Sequence, residues 1–309
     1  MDWNSHEIDE LIRRSLAEDV GYGDVTSLAT IPATAMAHAR IIAKAPLVCA
    51  GLPLAQRVFR TLDADAAITF IANDGDTVEK GRELLQIHAR ARAVLTAERT
   101  ALNFLAHLSG IATLTRHFVE RLAGANAKIR DTRKTTPGLR MLEKYAVRMG
   151  GGTNHRIGLY DAILLKENHI ALAGGVTAAL GQAHAYASSR MNPRETTAYE
   201  ATAGPRIAPP GSSLPIQIEV RNDRELRDAL DAGAESVLLD NMTPDVASRC
   251  VELARSLRRE CVVEISGGIT LDNARAYAET GADFLSSGAL THSAPAADLS
   301  LLVDSIEGK

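Results

Sequence analysis

Beyond Gly124 the chain settles into short apolar runs that each end in polar or glycine residues: AKIRDTRK, DAILLKEN, PIQIEVRN, SVLLDN, CVVEISGG and ADFLSSGA. Helical patterns lie between them. DRELRDALDAG places Leu226, Ala229 and Leu230 on one face with Gly233 as its cap, and LDNARAYAETG is closed by Gly281. Strand alternating with helix requires parallel strands joined by crossovers. The close spacing of the last runs, and the presence of six such units, predict a β/α barrel over a doubly wound open sheet.

Upstream the rhythm differs. From Ala33 to Ala91, alternating runs (ARIIAKAPLVCAG and AAITFIANDGDTVEKGRELLQIHA) are broken by Asn-Asp-Gly and Lys-Gly turn signals, which reads as antiparallel strands. LPLAQRVFRTL between them is helical, giving a mixed α+β module. The opening MDWNSHEIDELIRRSLAEDV carries Ile8, Leu11, Ile12 and Leu16 on one helical face. AVLTAERTALNFLAHLSG predicts a helix with Leu95, Leu102, Leu105 and Leu108 on one side, stopped at Ser109-Gly110, then a second helix to Gly124. The expected organisation is an N-terminal domain over 1–110 and a barrel domain over 111–294, with a C-terminal helix over 295–309 packing back on the first. The Pro-, Gly- and Ser-rich stretch 188–215 reads as a long loop or insertion without an assignable role.

With 46% hydrophobic residues in 309, the chain can bury a sizeable core. Lys plus Arg number 34 against 38 for Asp plus Glu, and only 4% are aromatic, which argues against a nucleic-acid surface built on net positive charge and stacking. Cys49, Cys250 and Cys261 lie in or beside apolar stretches without a CxxC pair, so a disulfide framework or zinc site is not expected and a reducing cytoplasm is. The acidic, helix-patterned start lacks the features of an export signal. The most apolar stretch, IIAKAPLVCAGLPLAQ, is interrupted by Lys44 and two prolines and is too short to span a bilayer.

Against this acidic background the segment 129–170 gathers Arg133, Lys134, His155, Arg156 and Lys166 at turns and run ends, where folds place working residues. Cations so placed suggest a pocket for a small, multiply anionic molecule; scattered surface charge is the alternative for any one of them. Thr135, Thr136 and Pro137 read as the N-cap and first position of a helix through GLRMLEKYAVRM, ending at Gly150. Its cationic flanks could converge on one anion, with Arg133 and Arg156 as planar forks for carboxylates and Lys134 as a point charge for phosphate. Two glycine turns end the series, Ser266-Gly267-Gly268 and Ser287-Gly288-Ala289. In a barrel the loops after the last two strands commonly bind phosphate, through backbone N–H groups and the dipole of the following helix. Glu219 and Asp240 stand in or at the end of apolar runs, where a carboxylate needs a partner. That partner is either a hydrated Mg2+ carried by a diphosphate or an ion pair with Lys166 or Lys134, and the two are compatible. Glu264 is read as structural, and Arg99, beside Glu98, as an ordinary surface ion pair. No GxSxG, Walker A, HExxH or GxGxxG signature is present.

Taken together, AERTALNFL, DTRKTTPGLR, GGGTNHRIGLYDAILLKENH, IEV, LLDN, EISGGI and SSGALTHS resemble the quinolinate phosphoribosyltransferases over nearly the whole chain. The resemblance implies an α/β protein with an incomplete β/α barrel and an N-terminal α/β sandwich domain. It implies that quinolinate and phosphoribosyl pyrophosphate give nicotinate mononucleotide, diphosphate and CO2 in de novo NAD biosynthesis, with Mg2+. By matching motif, Arg133, His155, Arg156 and Lys166 would hold the carboxylates of quinolinate, with Thr132 beside them. Arg99 would reach the neighbouring active site of a homodimer. Lys134, Glu219 and Asp240 would serve catalysis at the ribose and Mg-diphosphate, the carboxylates meeting the metal directly or through water. Ser266, Gly267, Gly268, Ser287, Gly288, Ala289 and His292 would hold the 5'-phosphate. Two rivals keep the fold but change the substrate: homologues tied to molybdenum transport, and enzymes acting on nicotinate. A third reads NDGDTVEKGRELLQIHA as the turn of a biotinyl or lipoyl carrier, although no modifiable lysine hairpin is presented.

Overall fold

The computed structural model describes residues 1–190 and 214–307; the expected insertion at 188–215 therefore lies almost wholly outside the described residues. The chain divides into two compact units, one of Met1–Arg116, Met141–Gly151 and Ser293–Lys309, the other of His117–Arg140 and Gly152–His292.

The first unit is organised on β1 (Met36–Ala43), whose strict alternation buries Ala37, Ala39, Ile41 and Ala43 and turns His38 and Arg40 to the other face. β2 (Leu47–Val48), β3 (Ala67–Phe70), β4 (Thr77–Val78) and β5 (Glu83–Arg90) follow; β2 pairs with β4, and β5 lies between β1 and β3 in an antiparallel sheet. The helix Leu52–Leu62 buries Leu52, Leu54, Ala55, Val58 and Phe59. It is capped by Asp74, which accepts the N–H groups of Gly51 and Leu52 at 2.9 and 3.0 Å. The acidic turn that suggested a carrier domain thus serves as a helix cap. The opening helix runs His6–Val20 and buries Ile8, Ile12 and Leu16, as its periodicity predicts.

Three expectations are corrected. The C-terminal segment is a strand, Leu299–Glu307, that pairs antiparallel with β1 from Met36↔Glu307 to Ala43↔Leu299. A helix there would leave one edge of β1 without ladder partners, and Val303 and Ile306 favour the extended state. The helix expected to stop at Ser109-Gly110 runs unbroken over Ala91–Arg121. Gly110 acts there as a contact point: a Cβ would lie 2.0 Å from the carbonyl oxygen of Pro295, so glycine lets the returning chain touch the helix backbone. The helix expected to open at Thr135 or Pro137 instead spans Arg140–Met149. Gly138 at φ +83° breaks the helical path, and Pro137–Leu139 form a turn closed by Leu139 N–H to Thr136 O at 3.0 Å.

In the second unit all six apolar runs are strands: β6 (Lys128–Arg130), β7 (Ile163–Leu165), β8 (Ile216–Val220), β9 (Ser236–Asp240), β10 (Val262–Ser266) and β11 (Phe284–Ser286). They form one parallel sheet in the order β6-β11-β10-β9-β8-β7. From β7 to β11 each crossover advances in one direction, which is barrel winding; the reversal that marks a doubly wound sheet is absent from that series. A parallel bridge from Arg130 to Thr153 extends the β6 edge, and β6 and β7 are not paired, so the barrel is incomplete. Val237, Leu239, Val263, Ile265 and Leu285 are fully buried. The helix Asp223–Asp231 is capped by Asn222 and buries Leu226, Ala229 and Leu230, with Gly233 at φ +91° just beyond it. Among the described residues no helix is long and apolar enough to cross a membrane.

Candidate active site

In a parallel β/α sheet the side chains free to act on a ligand stand at the carboxyl ends of the strands. Arg133 and Lys134 follow β6, Lys166 follows β7, Glu219 is the penultimate residue of β8, Asp240 ends β9 and Ser266 ends β10. Ser287 and Gly288 follow β11. Asp240, Ser266, Ser286 and Arg130 are register partners across adjacent strands, which levels these ends.

The loop after β6 and the loop carrying Asn154-His155-Arg156 are tied together by Asp131. This fully buried carboxylate accepts the His155 N–H at 2.9 Å and the Asn154 side-chain amide. Arg140 adds a second tie, donating to Thr135 Oγ1 at 3.0 Å and to the Ile157 carbonyl at 3.2 Å. The result brings Arg133 and Arg156 together. Burial first, and then the like charge of Arg133, lower the proton affinity of the Arg156 guanidinium, while Asp161 opposes the shift. Arg156 gives Nη1 to the Ala162 carbonyl at 3.0 Å. The Nε atoms of Arg133 and Arg156 are buried and have no hydrogen-bond partner among the described residues. Two adjacent guanidinium groups with buried, unused donors have the chemistry to donate hydrogen bonds to a carboxylate-rich anion.

His155 is tied into the protein through its ring. Its Nδ1 accepts the Arg156 N–H at 2.8 Å, so Nε2 carries the proton, 3.2 Å from Gln217 Oε1 and 3.5 Å from Glu264 Oε1. Both ring nitrogens are engaged within the protein, and His155 orients the loop that presents Arg156. Glu264, read from sequence as structural, is the hub of this interior. It is fully buried and accepts from Arg130 Nη1 and Gln217 Nε2, both at 3.0 Å, and from the Ser286 hydroxyl. Arg130 also lies over the Phe284 ring, 3.3 Å from its centroid.

On the other side of the sheet Lys166 Nζ lies 3.6 Å from Glu219 Oε2. Burial raises the Glu219 carboxyl above the usual range; Lys166 counters it and the nearby Asp240 charge adds to it. Of the two readings offered for Glu219, the ion pair with Lys166 is present in the structure. Asn241 donates to Asp240 and sits at φ +53°, its side chain so close to Gly267 that a Cβ there would lie 2.2 Å from Oδ1. A non-glycine residue in the left-handed region beside a strand-end carboxylate is a feature that sequence reading missed.

Two features of the glycine turns bear on anion binding. Ser287 is buried with its N–H given to the Arg130 carbonyl at 3.0 Å and its hydroxyl to the Ile269 carbonyl at 2.7 Å, so it braces the turn and has no donor left for a phosphate. The helices that follow the turns, Ala274–Ala278 and Ala289–His292, are too short to carry a useful macrodipole, so any anion affinity rests on local N–H groups and side chains. Gly288 does bring the expected side chains together: a Cβ there would lie 2.9 Å from Lys134 Cδ and 3.0 Å from His292 Cδ2 and Nε2. The Lys134 carbonyl accepts the Thr291 hydroxyl at 2.9 Å, and Thr132 Oγ1 accepts the Lys134 N–H at 3.0 Å. Thr132 thus shapes the turn that aims Lys134. Arg99 belongs to the first unit, exposed on the helix Ala91–Arg121, and forms no ion pair among the described residues, so the ordinary surface ion pair expected of it is not made.

Comparison with known proteins places this geometry beside that of relatives. The chain matches "Quinolinate phosphoribosyl transferase, N-terminal domain" over residues 24–109 and the C-terminal domain of the same family over 111–203 and 206–302. It is 38% identical over 298 residues to a probable carboxylating nicotinate-nucleotide pyrophosphorylase of Bacillus subtilis, covering 96% of this chain and 94% of that one. The identity is 41% over 296 residues to the Mycobacterium leprae protein of that name, with 94% and 95% covered. Among solved structures, NadC from Streptococcus pyogenes superposes with a TM-score of 0.85 at 37% identity, covering 99% of this chain and 98% of that one.

Proposed function

Because this chain belongs to the quinolinate phosphoribosyl transferase family, we propose that the strand-end cations and carboxylates described above carry the family's reaction. The activity is that of a carboxylating nicotinate-nucleotide pyrophosphorylase in NAD biosynthesis: quinolinate and phosphoribosyl pyrophosphate become nicotinate mononucleotide, diphosphate and CO2. The observation that carries the assignment of residues is the convergence of Arg133 and Arg156, two like charges with buried, unpartnered Nε donors. Such a pair is unfavourable alone and favourable around a dianion. A substrate with two adjacent carboxylates fits it better than nicotinate, which has one.

The chemistry follows from charge. The pyridine nitrogen attacks the anomeric carbon of the ribose as the C–O bond to diphosphate breaks, through an oxocarbenium-like state. The protein has to hold two anions that repel each other and to orient nitrogen and carbon in line. Arg133 and Arg156 fix the carboxylates, and Lys166 stands at the edge nearest Glu219. Lys134, beside Gly288 and His292, is placed to meet phosphate. Ser266, Gly267, Gly268 and Ala289 complete this side through their backbones. Glu219 and Asp240 would hold Mg2+, directly or through water; their mutual repulsion and single lysine partner suit a divalent cation. When bound, the ion would neutralise the diphosphate as it leaves. Once the ring nitrogen is quaternised its positive charge stabilises the electron pair left on the adjacent ring carbon as the carboxylate departs as CO2, and that carbon then takes a proton from solvent, so no side-chain nucleophile is required.

Arg99 is proposed to complete the site of a partner subunit in a homodimer; its exposure without an ion pair supports that role. Three free, buried cysteines suit a reducing cytoplasm. The test is direct: protein with Mg2+ and both substrates should release CO2 and form nicotinate mononucleotide. Arg133→Ala and Arg156→Ala should each raise the KM for quinolinate by about a hundredfold while changing that for phosphoribosyl pyrophosphate far less. No CO2 from the wild type, or equal effects on both substrates, would overturn the assignment.

A further inference from the structure

The antiparallel sheet of the first unit carries a side-chain cluster that the reaction does not use. His38 on β1 and His88 on β5 are direct cross-strand partners, and their rings stack with centroids 4.1 Å apart and planes 5° from parallel. On the other side of β1, His38 is in register with Ser305 of the C-terminal strand. Glu307, two residues further on, projects from the same face as Ser305, and its Oε1 lies 3.1 Å from His38 Nε2. One ligand atom from each of His38, His88 and Glu307 lies within 4.8 Å of the other two. Among the described residues this is the one group of three His, Cys, Asp or Glu side chains that meets so closely.

Two further observations point to a ligand. The Nε2 of His88 is buried and has no hydrogen-bond partner among the described residues, a state that coordination or a donor would relieve. The histidines line a cavity of about 370 Å3 together with Arg40, Glu83, Gln86 and Asp304. Arg40 is held by Glu83 at 2.9 Å and Asp304 at 3.0 Å, so the one guanidinium there is already neutralised and does not repel a cation at Glu307.

We propose that His38, His88 and Glu307 form a binding site for a divalent transition-metal ion of the Zn2+ kind, tying the C-terminal strand to β1 and β5. Two imidazoles and one carboxylate are a donor set that zinc accepts, with water as a fourth ligand. The same set disfavours Mg2+, which requires oxygen donors, so this site and the carboxylates of the second unit select different ions. Donors bound at about 2.0–2.2 Å in a tetrahedron stand about 3.4 Å apart. The cluster closes to that spacing by a shift of about an ångström and by rotation of the rings about χ2, a soft torsion, which turns their lone pairs from parallel to convergent.

The test uses the full chain, stripped with a chelator and dialysed against Zn2+ alone, with bound metal measured by elemental analysis and unfolding followed by calorimetry. One Zn2+ per chain is expected, with a rise in Tm. Asp240→Asn should retain that stoichiometry, which separates this site from the second unit. His38→Ala and His88→Ala should weaken Zn2+ binding by at least about tenfold and abolish the Tm rise. Glu307→Gln, at an exposed position, reports the same loss if either histidine variant fails to fold. Co2+ in place of Zn2+ should give visible absorption bands of a tetrahedral site in the wild type and in Asp240→Asn, and not in the histidine or Glu307 variants. Absence of stoichiometric Zn2+ in the wild type, or binding undiminished in Glu307→Gln and the histidine variants, would overturn the proposal.

Discussion

Replacing Glu264 separates what holds the barrel interior together from what positions the substrate. The carboxylate is fully buried and takes hydrogen bonds from Arg130, Gln217 and Ser286. In Glu264→Ala the Arg130 guanidinium loses its counter-ion while its Nε already lacks a partner among the described residues. Stranding one member of a buried ion pair costs about 3–5 kcal/mol. Arg130 keeps 23% side-chain exposure and the Phe284 ring, which places the expected loss near the low end, about 3 kcal/mol. Against a total stability of about 5–15 kcal/mol that is a large fraction. Glu264→Gln keeps the shape and exchanges charge-assisted bonds for neutral ones, a cost of about 1–2 kcal/mol. Pairing Arg130→Met with Glu264→Leu removes both charges and should recover most of the stability. Catalysis should not recover with it. His155 donates to Gln217, and Gln217 to Glu264, so each variant loosens the loop that presents Arg156. Urea unfolding followed by circular dichroism, with kinetics varying each substrate, distinguishes these effects. The KM for quinolinate should rise in all three variants and that for phosphoribosyl pyrophosphate should stay close to wild type. A Glu264→Ala protein within about 1 kcal/mol of wild type, with unchanged quinolinate KM, would refute the role of this interior.

Three other outcomes are expected. Gly288→Ala places a Cβ 2.9 Å from Lys134 Cδ and 3.0 Å from His292; both are side-chain ends that can yield, so stability should fall by less than about 1 kcal/mol while the KM for phosphoribosyl pyrophosphate rises about tenfold in steady-state assays. Glu219 has a raised carboxyl, chiefly through burial, so the fold prefers it protonated: that preference supports stability at acid pH and is lost as pH rises through the raised value. Glu219→Gln should therefore melt higher than wild type at neutral pH, with the gap closing on acidification in calorimetry, and turnover should collapse. If Arg99 serves a neighbouring subunit, mixing Arg99→Ala with Lys134→Ala chains should restore activity in heterodimers, and no recovery after proven subunit exchange would refute the shared site.

What could be read from the sequence follows the range of the interaction concerned. All six barrel strands were legible because a run such as VVEIS states its own periodicity, and so was the helix Leu52–Leu62. The C-terminal strand was misread because its partner, β1, is nearly the whole chain away, and nothing local distinguishes an edge that needs covering. Gly110 was misread for a related reason: glycine after serine usually ends a helix, and only the backbone of Pro295 shows that it permits an approach. The site divides in the same way. Arg133, Arg156 and Lys166 were visible as cations at run ends, and Glu219 and Asp240 as carboxylates too apolar in setting to stand alone. Asp131 and Asn154 lay unnoticed inside the same motifs, since a tie between two loops has no signature until both loops are folded. The bond from the Ser287 hydroxyl to Ile269, a residue of another turn, has no local signature either. The closeness of Arg133 and Arg156 is the deepest case. Sequence counts charges, but the cost of placing two of them side by side exists only in the folded state, and that cost is the basis on which a dianion is proposed as their ligand.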